Sequence, residues 1–480
     1  MRLTWVQPED LIRHELRQSA QQGRDVADIR RRWAATGLPV APPYGGASGD
    51  VADPRQRALA VELLDELDRM PDPTAGAEPD GWPEIVATLG PDTDSPAAVD
   101  RTRLRGAWWG RIVGCVLGKP VEKIPRQGIE EILRGTGRWP LQRYFTAVGL
   151  DPDVTGRWPW NKASRGTSLE ENISGVPEDD DINYTLMALR LLENRLRENR
   201  LRENRLRPHR AAEQHGADFT ADDVARAWLL DLPVGRAFTA ERVALRNLLE
   251  GLSPPATALT HNPFREFIGA QIRTDLYGWV NPGRPRRAAE WAWRDASVSH
   301  ARNGLYGAMF VAAAASVAVT GAGIDAAIDA GTAVVPPTSR MATAIRLGRE
   351  LGADPRYQQD PRGAYQALET AFADVHWVHA LNNMALVCFA LTAGRGDVTR
   401  TLGLTVMGGW DTDSNGATVG GLIGAAAGPG AIAEHWTRPL AGGLHTSIPG
   451  ENGVAVDTLI ERTAAVAAAV ASPVLTSERS

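Results

Sequence analysis

Apolar positions along this chain recur at helical spacing almost throughout, and the alternation that marks strands is nearly absent. Ala, Leu, Arg and Glu dominate the periodic stretches, and these residues lose little on entering a helix. The pattern predicts an all-α protein built as a compact multi-helix bundle. Three helical segments lead, at 10–22, 26–36 and 53–70, the last with Pro54 just inside its start, where a helix tolerates proline. A PPYGGASGD stretch around Tyr44 reads as a turn-rich connector. Residues 71–100 are rich in Pro, Gly and Asp, which is linker chemistry. Beyond Arg101 the texture changes to long helices. Two of them, 305–319 and 417–427, carry such small side chains that their axes can approach closely, which places them at the centre of the bundle. The expected organisation is therefore a small helical N-terminal appendage (1–70), a linker (71–100) and a catalytic domain (101–480).

Two segments resist this reading. Residues 136–177 show no regular period but hold Trp139, Tyr144, Phe145, Trp158 and Trp160, too many aromatics for disorder. They suit either a substrate lid or a packing plug. The ENRLR repeat at 193–207 has a period of five, which spirals its leucines around a helix instead of forming a face, and reads as a solvated helix extension.

Composition narrows the classes. With 480 residues and 43% hydrophobic content, the chain can bury one large core. A net charge of −6, with arginines scattered among acids, argues against a nucleic-acid partner. The two cysteines, Cys115 and Cys388, allow neither a disulfide framework nor a zinc-ligand spacing. The first residues carry charges throughout, unlike a signal peptide, and the apolar run at 308–319 is too short to cross a bilayer. A cytoplasmic protein with no membrane partner is expected.

The chemistry concentrates in two acidic clusters. In PEDDDINYTLMAL, Glu178, Asp179, Asp180 and Asp181 abut a helix of apolar period. One or two acids can cap a helix and complement its dipole. Four packed together repel unless a cation neutralises them. In VMGGWDTDSNGATVGG, Asp411, Asp413 and Ser414 lie between the Gly408–Gly409 pair and a small-faced, buried helix. Buried carboxylates need partners, and this stretch offers no Lys or Arg. An Asp-rich turn capping the next helix is the plainer alternative. All-oxygen donors favour a hard cation, Mg2+ or Mn2+, and the combined clusters carry enough charge for two divalent ions.

Four segments in order resemble the ADP-ribosylglycohydrolase family, which includes the dinitrogenase-reductase-activating glycohydrolases. Asp179-Asp180-Asp181-Ile182 is similar to its Thr-Asp-Asp-Thr helix opening, and Gly409-Trp410-Asp411-Thr412-Asp413-Ser414 to its Gly-Gly-Asp-x-Asp-Thr. GAWWGRIVGCVLGKPVE, ending at Glu122, resembles the Gly-rich opening helix and loop glutamate; ASVSHARNGLYGAMFVAAAASVA carries His300 where the family often has a substrate-side histidine. The resemblance covers about 101–480. It implies the family's all-α fold, two divalent cations (Mg2+ or Mn2+), and metal ligation by Asp179, Asp180, Asp181, Asp411, Asp413 and Ser414. It also implies Glu122 near the reacting carbon, with one of the Asp179–Asp181 trio, here Asp180, as the other proton acceptor, and His300, Asn303 and Gly304 lining a ribose-diphosphate pocket. A lone His300 before an apolar helix can equally be a cap or a satisfied core group, and Glu122 a surface acid. Asp179 and Ile182 depart from the motif's threonines, and Trp410 interrupts its Gly-Gly-Asp.

The implied activity is metal-dependent hydrolysis of a ribosyl N- or O-glycosidic bond with release of ADP-ribose. The substrate is then an ADP-ribosylated protein or a small ribosylated compound; a non-catalytic ADP-ribose binder is the alternative of a different class.

Overall fold

The computed structural model describes residues 3–42, 52–206 and 217–471. Most of the Tyr44 connector and the last residue of the ENRLR repeat, Arg207, lie outside them. Among the described residues the chain is all helix and loop, with isolated bridges such as Val176 to Leu444 in place of strands. The elements that matter for the site are α1 (Pro8–Gln21), α2 (Ala27–Ala34), α3 (Pro54–Arg69), α4 (Arg101–Gly118), α5 (Asp180–Leu206), α6 (Asn303–Ala318) and α7 (Thr412–Ala427).

The centre of the fold is the pair α4 and α7. Glycines recur every fourth residue on α4, at Gly106, Gly110, Gly114 and Gly118, so they line one stripe of the helix. On α7, Gly416, Gly420 and Gly424 do the same. The two stripes face each other: Gly114 meets Gly416, Gly110 meets Gly420 and Gly106 meets Gly424. A Cβ added at any of these would stand under 3.0 Å from a backbone atom of the other helix. The Thr412 hydroxyl donates to the Gly118 carbonyl at 2.8 Å and fixes the register. Asp100 starts α4 by accepting from the Thr102 and Arg103 amides. Around this pair, α6 is buried almost throughout, as its alanines require.

The N-terminal helices form a second apolar cluster. Leu11, Ile12, Leu16, Trp33, Leu63, Leu64 and Leu67 pack together with Ala240, Val243, Phe264 and Phe267 of the main body. Buried ion pairs reinforce the junction. Glu15 takes both terminal nitrogens of Arg265 at 2.6 and 2.9 Å. Gln18 and Gln22 donate to Glu266. Residues 71–100 are largely irregular, but they are no free tether. Glu78, 2% exposed, accepts from Arg340 and from the Asn303 amide. Glu266 receives Arg340 and Asn303 as well.

This network sets an acid limit. Burial alone would raise the Glu266 carboxyl, but Arg340, helped by the Asn303 amide, holds it at about 2 instead of 4.5. A depressed folded value stabilises the protein above the unfolded value, and the contribution is lost as pH falls from about 4.5 toward 2. The expected size is about 3 kcal/mol. Urea denaturation of the wild type and of Glu266→Gln at several pH values in that window checks it. The wild type should lose stability more steeply than the variant, and equal slopes would contradict the assignment.

The aromatic segment 136–177 folds around two short helices, Pro152–Arg157 and Arg165–Ser168. Its rings mostly pack: Tyr144 sits edge-on to Trp436 at 5.0 Å, and Phe145 edge-on to Trp160 at 6.1 Å. The first ENRLR copies continue α5, with Asn194, Arg197 and Glu198 exposed.

Candidate active site

A cleft of about 600 Å³ opens where the C-terminal end of α4, the N-terminal end of α5 and the N-terminal end of α7 converge. Each end delivers acids. Chain reversal before α7 needs two successive left-handed residues, Gly409 at φ 81° and Trp410 at φ 61°. Such a φ is costly for tryptophan and is held by its surroundings. It turns Asp411, Asp413 and Ser414 onto the cleft wall, each 6–7% exposed. At α5, Asp179 caps the helix by accepting from the Asp181 amide at 3.0 Å. Asp180 and Asp181 follow on the same wall. Glu122 comes just after the short turn Lys119–Val121 that ends α4.

All seven of these residues line one cleft, although more than two hundred residues separate the acidic clusters in sequence. Ser414 donates to Asp181 Oδ2 at 3.3 Å and so joins the two clusters. Donor atoms of Glu122, Asp411 and Asp413 lie within 4.8 Å of one another, and so do those of Cys115, Asp179 and Asp181. Burial and neighbouring carboxylates push Asp180, Asp181 and Asp411 well above the usual range, and Asp413 to about 7.

The acids of the trio have basic neighbours. The partners come from elsewhere in the chain. Lys119 Nζ bonds to Asp179 and, at 3.1 Å, to the Glu178 carbonyl. Burial alone would raise Asp179, but Lys119 holds it below the usual carboxylate range. Lys123 lies 3.2 Å from Glu122, and Arg236 lies 2.7 Å from Glu178. Arg111, fully buried, reaches the Asp181 carbonyl through Nε at 3.0 Å. Asp411 and Asp413 have no ion-pair partner among the described residues.

The residues present fit a hard divalent cation. The Glu122, Asp411 and Asp413 donors are all carboxylate oxygens. In addition, Asp181 Oδ1 is buried with no hydrogen-bond partner, a state a buried carboxylate oxygen tolerates poorly without a cation.

His300, Asn303 and Gly304 are not brought to this cleft. His300 is enclosed beside Ser299, its Nδ1 2.8 Å from that hydroxyl. Asn303 opens α6, where both its amide hydrogens go to Glu78 and Glu266 and its oxygen accepts from the Met341 amide. Gly304 packs against the Arg265 carbonyl and His300. They belong to the ion-pair network behind the site. Trp158 and Trp160 do not close the cleft either. Trp158 covers Gly128 and donates to Glu131 at 2.8 Å, while Trp160 is in the core.

Several lining residues escaped the sequence. Asn161, Ser164 and Thr167 come from the aromatic segment, and Asn161 donates to Glu122 at 2.6 Å. Trp5 and His14 come from the N-terminal appendage; Trp5 packs edge-on to Phe238 at 5.6 Å and His14 edge-on to His376 at 5.8 Å. Trp5 is anchored by Arg242, whose guanidinium lies 4.9 Å from its ring centre. No local signal marks these residues. Lys119 could have been noticed, three residues before Glu122.

The family profile of the ADP-ribosylglycohydrolases matches residues 96–471. The chain belongs to the ADP-ribosylglycohydrolase family. Its all-α architecture agrees with that assignment, and the family assignment makes it a glycosyl hydrolase. One solved structure similar to it is an ADP-ribosylglycohydrolase-related protein complex, at 21% identity over 77% of this chain and 97% of the other, with a TM-score of 0.39. No curated protein matches the chain. Among the described residues no helix is long and apolar enough to cross a membrane.

Proposed function

We propose that this protein hydrolyses an ADP-ribosyl glycosidic bond in a divalent-cation-dependent reaction, releasing ADP-ribose. The observation that carries the reading is the convergence of Glu122, the Asp179–Asp181 trio, Asp411, Asp413 and Ser414 on one cleft. Asp411, Asp413 and Ser414, together with acids of the trio, would hold the metal, Mg2+ or Mn2+. When bound there, a divalent ion supplies positive charge that orients ribose hydroxyls and makes a nearby water more acidic.

The protein's own groups do the rest. Glu122 is the proton acceptor, kept in one orientation by the Asn161 amide on Oε2 and Lys123 beside Oε1. As water attacks the anomeric carbon, the C–O bond to water forms, the bond to the leaving nitrogen or oxygen breaks, and a water proton passes to Glu122, to be returned through solvent to the leaving atom. Asp180 is the alternative acceptor on the same wall. The surrounding carboxylates favour the positive charge that develops on the ribosyl ring in an oxocarbenium-like transition state.

Residues 101–480 would carry the catalytic groups, while 1–70 would add one wall of the cleft through Trp5 and His14. That wall favours a small or partly extended ribosylated substrate over a bulky folded protein, because it narrows the approach from one side. Buried, unpaired Cys115 and Cys388 suit a reducing, cytoplasmic setting.

The test is release of free ADP-ribose from ADP-ribosyl-arginine with Mg2+ or Mn2+. Release should require the metal, and Glu122→Gln should slow it by about 10²- to 10⁴-fold. No release with either metal from small or protein-linked substrates would contradict the hydrolase reading.

A further inference from the structure

We propose that the N-terminal helices complete the cleft with a subsite for the heterocyclic base of the substrate, in which Trp5 offers a ring face and His14 a hydrogen-bonding edge. The inference rests on the metal-dependent reading above and deepens it: the unit that the cleft selects is a base-bearing ADP-ribosyl group and not a bare ribose. Both residues lie outside the stretch 96–471 that the family profile matches.

The cleft changes character along its wall. Next to the acids stand two cations that also line it, Lys123 at 3.2 Å from Glu122 and Arg236 at 2.7 Å from Glu178. Each leads to a ring. The Lys123 ammonium lies 5.6 Å from the ring centre of Trp377. Arg236 comes two residues before Phe238, which Trp5 meets edge-on at 5.6 Å. Trp377, Phe238 and Trp5 all line the cleft and are half-buried. Carboxylates, then cations, then aromatic rings is the order in which a metal-bound ribose, phosphates and a base would be met. The cleft volume of about 600 Å³ suits a ligand of that length and exceeds what a ribose ring fills.

Trp5 and His14 are also held in place. Trp5 has φ 61° and Thr239, next to Phe238, has φ 30°, both costly for residues with a Cβ. Arg242, 6% exposed, braces the two rings. Its guanidinium lies 4.9 Å from the ring centre of Trp5 and 5.8 Å from that of Phe238, and Nη1 donates to the Thr4 hydroxyl at 2.5 Å. His14 is anchored through its neighbour Glu15, which binds Arg265. The His14 Nε2 is buried with no hydrogen-bond partner among the described residues. Burial, helped by His376, keeps the imidazole neutral, so it can exchange a hydrogen bond with a ring nitrogen or amine. A heterocyclic base supplies such an edge beside its flat face, whereas a purely apolar group would leave the nitrogen orphaned.

Isothermal calorimetry of the Mg2+-loaded full-length chain, with ADP-ribose and with base-free ribose 5-phosphate, decides the point. The wild type should bind ADP-ribose the more tightly. Trp5→Ala should weaken ADP-ribose by about 5- to 150-fold without the same loss on ribose 5-phosphate, and Trp5→Phe should keep most of the affinity. His14→Phe, which keeps a ring but no nitrogen, should weaken ADP-ribose by about 2- to 10-fold. An unchanged ADP-ribose affinity in Trp5→Ala or His14→Phe, or an equal loss on both ligands, would overturn the proposal and leave the metal-dependent reading intact. No ADP-ribose binding and no ADP-ribose release by the wild type would overturn both. If circular dichroism shows Trp5→Ala unfolded, Trp5→Leu, which keeps apolar contact without a flat ring, reads the same comparison.

Discussion

Asp411→Asn is expected to cut ADP-ribose release at least about a thousandfold and, in the metal-free protein, to raise the melting temperature. The first effect follows from its position. Asp411 lies with Asp413 and Glu122 in one all-oxygen donor group, and a missing carboxylate cannot be replaced by the amide's weaker, uncharged oxygen. The second follows from the electrostatics. Burial, Asp413 and Glu122 push Asp411 well above its ordinary range. An acid whose folded value is raised binds its proton more tightly when folded, so the metal-free protein loses stability as pH rises from the unfolded value through the folded one. At neutral pH Asp411 therefore opposes folding until a cation arrives. The Asp411 side chain makes no capping bond to α7, so its replacement removes no cap. Asp413, raised to about 7, adds a pH signature. Metal must displace its proton below that value, so Mn2+ affinity should fall by up to about tenfold per unit as pH drops below 7. Turnover assays, Mn2+ titrations and thermal melts of the metal-free protein check these points. An active Asp411→Asn, or one that melts lower than wild type without metal, would contradict the site as drawn.

Gly114→Ala is expected to prevent folding or cost at least about 3 kcal/mol, although it adds a single methyl group. The added Cβ would meet the Gly416 carbonyl, and backbone cannot step aside as a side chain can. Relief requires the axes of α4 and α7 to separate, which opens voids along the whole interface. Gly156→Ala is the control. That glycine has nothing within 4 Å of its missing Cβ and lies in the short helix Pro152–Arg157, so alanine there should be neutral or stabilise by about 0.4–1 kcal/mol. Soluble yield and urea denaturation distinguish the two. A Gly114→Ala protein as stable as wild type would show that the helix contact is looser than the geometry requires. Any folded fraction should also lose activity. The end of α4 leads to Lys119 and Glu122, and the start of α7 carries Asp413, so separating the helices pulls the cleft walls apart.

Several of these features were legible without coordinates because they are local. Helical period marked α1, α2, α3 and α6 to within a few residues, whereas α7 starts earlier, at Thr412, and takes in Asp413 and Ser414, with Asp411 just before it. Four acids before an apolar helix, and two beside a glycine pair, were conspicuous because capping accounts for only one or two of them. The four-residue glycine spacing on α4 is visible in the sequence, but that α7 is its partner is not. The aromatic segment was misleading in another way. Its conspicuous rings serve packing, while the inconspicuous Asn161 and Ser164 reach the cleft.

The chain alone determined the helices, the small-residue stripes that let two of them touch, and the acids that need a cation. These depend on neighbours within a turn or two, where spacing and chemistry are sufficient. The tertiary structure decided which groups answer the acids. Lys119 takes Asp179, Asn161 takes Glu122, and Asn303 turns from the expected pocket to the Glu78–Glu266 network. It also brought Trp5 and His14 to the cleft from the N-terminal appendage. A buried charge is satisfied by whichever group the packing carries within about 3 Å, and that approach is set by the whole core and not by adjacency along the chain.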